Sequence, residues 1–188
     1  MFINHNPKRK SRSRSVLVAL FCAALVTTLS TPMSAAAEKG YRYWGYYQAG
    51  ANTTQWKAAM TGPTVDIADG SVEGWIFTFS SNDIPSTPPS VKPRFKSICA
   101  TTKPEKGFKR IALVIDFGSP AIAPKGEKVR STITRCVVTA EESQGIDVLE
   151  QEIKVRTDKS GLICGFNGYP SRECGVEIAA PKALAKKK

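Results

Sequence analysis

Four cysteines, Cys99, Cys136, Cys164 and Cys174, are spread over the second half of a chain that opens with an export-type leader, and no other feature constrains its folding as much. Residues 8–14 carry Lys8, Arg9, Lys10, Arg12 and Arg14 with no acid, and Val16 to Leu29 is an apolar run. Ala35 and Ala37 then stand at the −3 and −1 positions of an A-x-A site, so the pattern predicts a secretory signal peptide over 1–37, cleaved after Ala37. A run of fourteen residues rises about 21 Å as a helix, short of the roughly 30 Å hydrocarbon core, which argues against a membrane anchor. Phe21 before Cys22 does not suit a lipoprotein site, and no consecutive arginine pair precedes the apolar run to suggest a twin-arginine signal.

Outside the cytosol an even number of cysteines reads as disulfides. Three pairings are open, of which Cys99–Cys136 with Cys164–Cys174 is preferred. The second pair is local, and Gly165, Gly168 and Pro170 provide for a chain reversal between its members. Loop entropy assigns about 3.9 kcal/mol to the longer loop and about 2.8 kcal/mol to the shorter, before strain. A zinc site is disfavoured, because no C-x-x-C and no histidine follow residue 37. His5, the only histidine, lies in the leader. Ser-His-Asp and Cys-His catalysis are therefore excluded from residues 38–188, and none of the penicillin-binding-protein motifs of a Ser-Lys scheme is present. No metal and no cofactor are expected.

The formal charge of +11 suggests a polyanion partner, but it is unevenly distributed. Residues 38–180 hold 18 basic and 16 acidic side chains, which gives little reason to expect a basic face for nucleic acid. Lys182, Lys186, Lys187 and Lys188 make a basic tail over 181–188, which is expected to be disordered.

Residues 38–180 read as one secreted domain, strand-dominated α+β, with an all-β sandwich as the alternative. Strands are expected over 41–50, 71–81, 108–119, 129–140 and 161–166, with a short one over 95–102 holding Cys99. Residues 82–95 carry four prolines and cannot be a central strand. Residues 141–157 are the best helix candidate, since Ile146, Leu149 and Ile153 share a face, although EIKVRT also alternates as a strand would.

Tyr41, Tyr43, Trp44, Tyr46 and Tyr47 fall within seven residues, and Trp75 follows on the next strand. On a strand, Tyr41, Tyr43 and Tyr47 share one face, with Trp44 and Tyr46 on the other. One face fills the core; the other is covered by a neighbouring element, or is an aromatic ligand face. Asp66, Glu73 and Asp116 are the carboxylates available to acid/base chemistry. Asp66 belongs to a turn-rich DIADG stretch, and an Asp before Phe117-Gly118 ordinarily caps its own turn.

Taken in order, YRYWGYYQ, GP, DGSVEGW, a proline-rich stretch ending in PRF and IC, IALVIDFG, and GLICGFNGYPSREC resemble a family of uncharacterised exported actinobacterial proteins. The resemblance runs over roughly 41–174. It implies an association with energy-coupling-factor vitamin uptake and brings no catalytic residues. The stretch GIDVLEQEIKVRT…GLICGFNGYP is also similar to the small α+β domain that closes over cobalamin in corrinoid carriers. The expectation is a non-enzymatic binding accessory of the cell envelope, serving import of a vitamin-like small molecule beside a membrane transporter. Alternatives are an interaction module held to an envelope polymer, and a wall-glycan enzyme using carboxylates.

Overall fold

A computed structural model of the chain describes residues 38–184. The leader, its cleavage site after Ala37 and the last three lysines lie outside the described residues. Strand β1 (Lys39–Ala49) is followed by the two-residue β2 (Lys57–Ala58) and by β3 (Val72–Ser80). Then come the one-turn helix α1 (Phe95–Ile98), β4 (Phe108–Asp116), β5 (Ile133–Ala140) and helix α2 (Gly145–Glu152). Strands β6 (Val155–Thr157), β7 (Ile163–Phe166) and β8 (Val176–Ala179) complete the single domain.

The main sheet runs β2-β1-β3-β4-β5, with β8 alongside the opposite end of β1 from β2. Only the β3–β4 pair is parallel, and its long crossover carries the proline-rich stretch and α1. Strands β6 and β7 form a separate two-stranded sheet. The result is the strand-dominated α+β expected from the sequence.

Strand β3 is buried on both sides, because each face of the sheet is covered. On the first face, Trp75, Phe77, Ile111, Leu113 and Ile115 pack with Val148, Leu149 and Ile153 of α2 and with Phe166 and Tyr169. On the second face, Val72, Ala112 and Val114 pack with Phe95 and Cys99. Trp56 also lies on that side, over Gly74, where a Cβ would stand 2.5 Å from its ring, and its indole N–H donates to Val91 O at 2.9 Å. Proline therefore sits where the sequence required it, in a crossover laid over the sheet rather than within it.

Several elements differ from expectation: β2 and β8 lie where no strand was expected, and β5 begins at Ile133 rather than at 129. Residues 95–98 are helical, not a strand: Ser97 and Ile98 N–H donate to Arg94 O, and Cys99 N–H to Phe95 O. The turn places Phe95 and Cys99 four residues apart on one side, both aimed at the sheet. The expected helix over 141–157 stops at Glu152, because Val155–Thr157 pairs with β7. The Gln144 N–H donates to the Asp147 carboxylate at 2.7 Å, which fixes the helix start.

Both preferred disulfides are formed, Cys99–Cys136 with Cα atoms 5.0 Å apart and Cys164–Cys174 at 4.4 Å. The first ties α1 to β5, and both fit an oxidising, extracytoplasmic environment. Among the described residues no helix is long and apolar enough to cross a membrane. Residues 181–184 form a turn against the first core. Leu184 N–H donates to Pro181 O at 2.8 Å, and the Leu184 side chain rests against the first core, so apolar contact holds this turn in place.

Candidate functional site

The alternation of β1 puts Tyr46 and Gln48 on the first face of the sheet, opposite Trp75 and Glu73 of β3. The Tyr46 ring stacks on Trp75 with centroids 4.4 Å apart. Its hydroxyl donates to Glu73 Oε2. The Gln48 amide donates to Tyr46 Oη at 2.8 Å and lies 3.3 Å from Glu73 Oε2. Glu73 is 1% exposed, so this carboxyl is a core group.

Burial pushes the Glu73 carboxyl above the ordinary range, against the opposing pull of the Tyr46 and Gln48 hydrogen bonds and the Lys109 ammonium. Tyr46 is pushed up as well, first by burial and then by the neighbouring carboxyl. Lys109, buried on β4, donates to Ile67 O at 2.7 Å and to Ser143 O at 2.6 Å. A polar end is thus built into an otherwise apolar face. The start of α2 closes it: a Cβ on Gly145 would lie 2.8 Å from Tyr46 Oη and 3.0 Å from Pro63 O.

This polar end opens into a cleft of about 730 Å³. Gln48 and Glu73 form its inner wall, Ile67 and Met60 contribute apolar surface, and Lys57 and Asp66 bring one charge of each sign. Met60 is 95% exposed at the cleft. The arrangement can accept a small molecule that meets an amide and a buried carboxyl inside and mixed charge outside.

The six aromatic residues named from the sequence do not make a shared open face. Trp44, Tyr47 and Trp75 are buried, Tyr43 and Tyr46 are half-buried, and Tyr41 is 53% exposed. The first face is covered by α2 and the β6–β7 sheet, with Trp44 and Phe166 centroids 4.2 Å apart. On the second face, Tyr47 Oη meets Ser86 Oγ at 2.7 Å, and Tyr43 Oη meets Ser80 Oγ at 3.1 Å. Of the six, Tyr46 alone bonds to both wall residues of the cleft.

Two of the three candidate carboxylates, Asp66 and Glu73, line this one cleft. Asp116 is elsewhere. It accepts from Ser90 N–H at 2.8 Å, Ser90 Oγ at 2.5 Å and Gly118 N–H at 2.9 Å, so it caps its turn and pins the proline-rich crossover. Sequence reading missed Gln48, Lys57 and Lys109. Lys109 left a signal, a lone lysine at a position whose alternation points into the core of β4. Gln48 and Lys57 left none.

Residues 36–179 match the family described as SCO2322-like domain. The match covers the stretch over which the motifs run, and its description names no ligand or activity. Neither the curated proteins nor the solved structures contain a match to the chain.

Proposed function

We propose that this chain, which belongs to the SCO2322-like domain family, is an exported, non-enzymatic binding accessory of the cell envelope that holds a small molecule in the Gln48–Glu73 cleft. The single observation that carries this reading is the buried Glu73 carboxyl, held by Tyr46 and Gln48 at the wall of a cleft of about 730 Å³. A core carboxyl destabilises a fold unless something offsets it, so its retention at a cleft wall is a functional pointer. The resemblance to exported proteins associated with vitamin uptake supports import of a vitamin-like molecule, beside a membrane transporter, as the use.

Native mass spectrometry on protein recovered from its own host's culture tests this. A stoichiometric adduct that disappears in Gln48→Ala is the expected result, and its mass gives the ligand class. A bare mass from protein with both disulfides intact removes the reading.

A second reading, a wall-glycan enzyme, is favoured by one observation: Asp66 and Glu73 line the same cleft and differ in burial. Wall-glycan fragments would then be cleaved by the parent protein and left intact by Asp66→Asn. Equal treatment of the fragments by both proteins removes it.

A further inference from the structure

Within the near-neutral balance of residues 38–180, two segments of opposite charge lie on opposite faces of the sheet. Residues 141–152, which include α2, contain five acids and no base. Helix α2 packs on the first face. Residues 92–110, which include α1, contain seven bases and the single acid Glu105. Helix α1 packs on the second face. Five of those bases, Lys92, Arg94, Lys96, Lys103 and Lys106, are exposed. Among the described residues none of the five forms an ion pair with a carboxylate.

This basic surface is held in place. Cys99–Cys136 ties the end of α1 to β5. The Arg110 guanidinium lies 5.3 Å from the Phe95 ring centroid and donates to Thr102 O at 2.9 Å, which fixes the loop beyond the disulfide. A hollow of about 260 Å³ sits beside α1, flanked by Arg94 and Lys96 and floored in part by Thr53 and Thr54. Two cations and two hydroxyls around a hollow of that size suit one phosphate group.

The same face also exposes apolar side chains. Phe108 is 45% exposed and Val138 is 36% exposed. Phe108 pairs with Ala140 and Arg110 with Val138, so Phe108 and Val138 are diagonal neighbours on one side of the β4–β5 pair. A soluble polyphosphate gains nothing from an aromatic ring and a valine beside its cations. A lipid surface does: the ring enters the headgroup boundary while the lysines remain among the phosphates.

We propose that the α1 face, residues 92–110 with Val138, docks the domain on a membrane surface rich in anionic phospholipid. Phe108 enters the interface, the hollow between Arg94 and Lys96 takes one headgroup phosphate, and the acidic α2 face is turned away from the membrane. The site is distinct from the cleft, and the folded domain, not only the lysine tail, provides the attachment.

Co-sedimentation with vesicles of equal parts phosphatidylcholine and phosphatidylglycerol, against phosphatidylcholine alone, tests it. The expected result is binding to the anionic vesicles only, at physiological salt. Removing three charges in Arg94→Gln/Lys96→Gln/Lys103→Gln should weaken binding on the order of a hundredfold, at about fivefold per cation. Changing Lys182, Lys186, Lys187 and Lys188 to Gln should leave most of the binding. Phe108→Ser, and independently Val138→Ser, should weaken vesicle binding while leaving binding to soluble polyphosphate unchanged. Near-ultraviolet circular dichroism confirms that each variant is folded. The proposal is overturned if the parent ignores anionic vesicles, if the triple variant binds as the parent does, or if the tail variant loses all binding. Unchanged vesicle binding by both serine variants overturns it too, because a general polyanion surface would then suffice.

Discussion

Glu73 stands among core residues of β3, with Val72 and Trp75 as its neighbours, and its carboxyl is held above the ordinary range chiefly by burial. The sign of the consequence follows from linkage. A carboxyl raised in the folded state contributes its full stability below the unfolded value near 4.3, and loses it as pH rises through the folded value. Glu73→Gln should therefore gain stability relative to the parent between pH 4 and pH 8, read as a rising difference in urea midpoint. Tyr46→Phe removes the hydroxyl that donates to this carboxyl and should cost about 1–3 kcal/mol. Because that hydrogen bond also draws the Glu73 value down, the loss should be larger at pH 8 than at pH 4, measured by the same titration. Neither effect could be read from the sequence, where Glu73 is one of several acids in a turn-rich neighbourhood. Only the β1–β3 register brings Tyr46 and Gln48 to it.

At the scale of elements, α2 and α1 show where local pattern stops being informative. The start of α2 rests on Gly145, which intrinsic propensity would exchange for alanine. Packing decides otherwise, since the added Cβ would meet Tyr46 Oη at 2.8 Å and Pro63 O at 3.0 Å. Gly145→Ala should destabilise by about 1–3 kcal/mol, the cost of overpacking. Chemical denaturation gives the sign, and a gain in stability would mean that the wall of the polar end yields easily. The one-turn α1 is held by Phe95 and by Cys99–Cys136. Replacing both cysteines with serine should cost about 3.9 kcal/mol by loop entropy, seen as a lower thermal midpoint. The cysteines were legible as a framework, and the local Gly-Pro content pointed to the Cys164–Cys174 pair. The stretch 95–98 was expected as a strand, and a helical turn forms there instead because it brings Phe95 and Cys99 to the sheet together.

At the scale of the whole molecule, Phe166 sits at the junction of the two sheets, with Val155 and Ile163 packed on the same core. Phe166 of β7 is fully buried and meets both Trp44 and Trp75, with centroids 4.2 and 5.5 Å away. Phe166→Ala should cost about 3–5 kcal/mol and reduce the near-ultraviolet tryptophan signal, because the β6–β7 sheet loses its seat. Covering both faces of the sheet makes Trp44, Tyr47 and Trp75 part of the packing and leaves Tyr46 bonded to Glu73 and Gln48. It also sets the basic segment 92–110 and the acidic segment 141–152 on opposite sides of a domain almost neutral in total. Local reading did establish several things from residue type and spacing: the strand-dominated class, the exclusion of residues 82–95 from a central strand and the local Cys164–Cys174 pair. Those properties depend on neighbours in the chain, which composition and period report directly. The cleft and the buried Glu73 network join residues far apart in sequence, and the fold sets the two charged segments, each contiguous in the chain, on opposite faces of the sheet. They were decided by strand register and by which face each helix covers, and no local pattern encodes either.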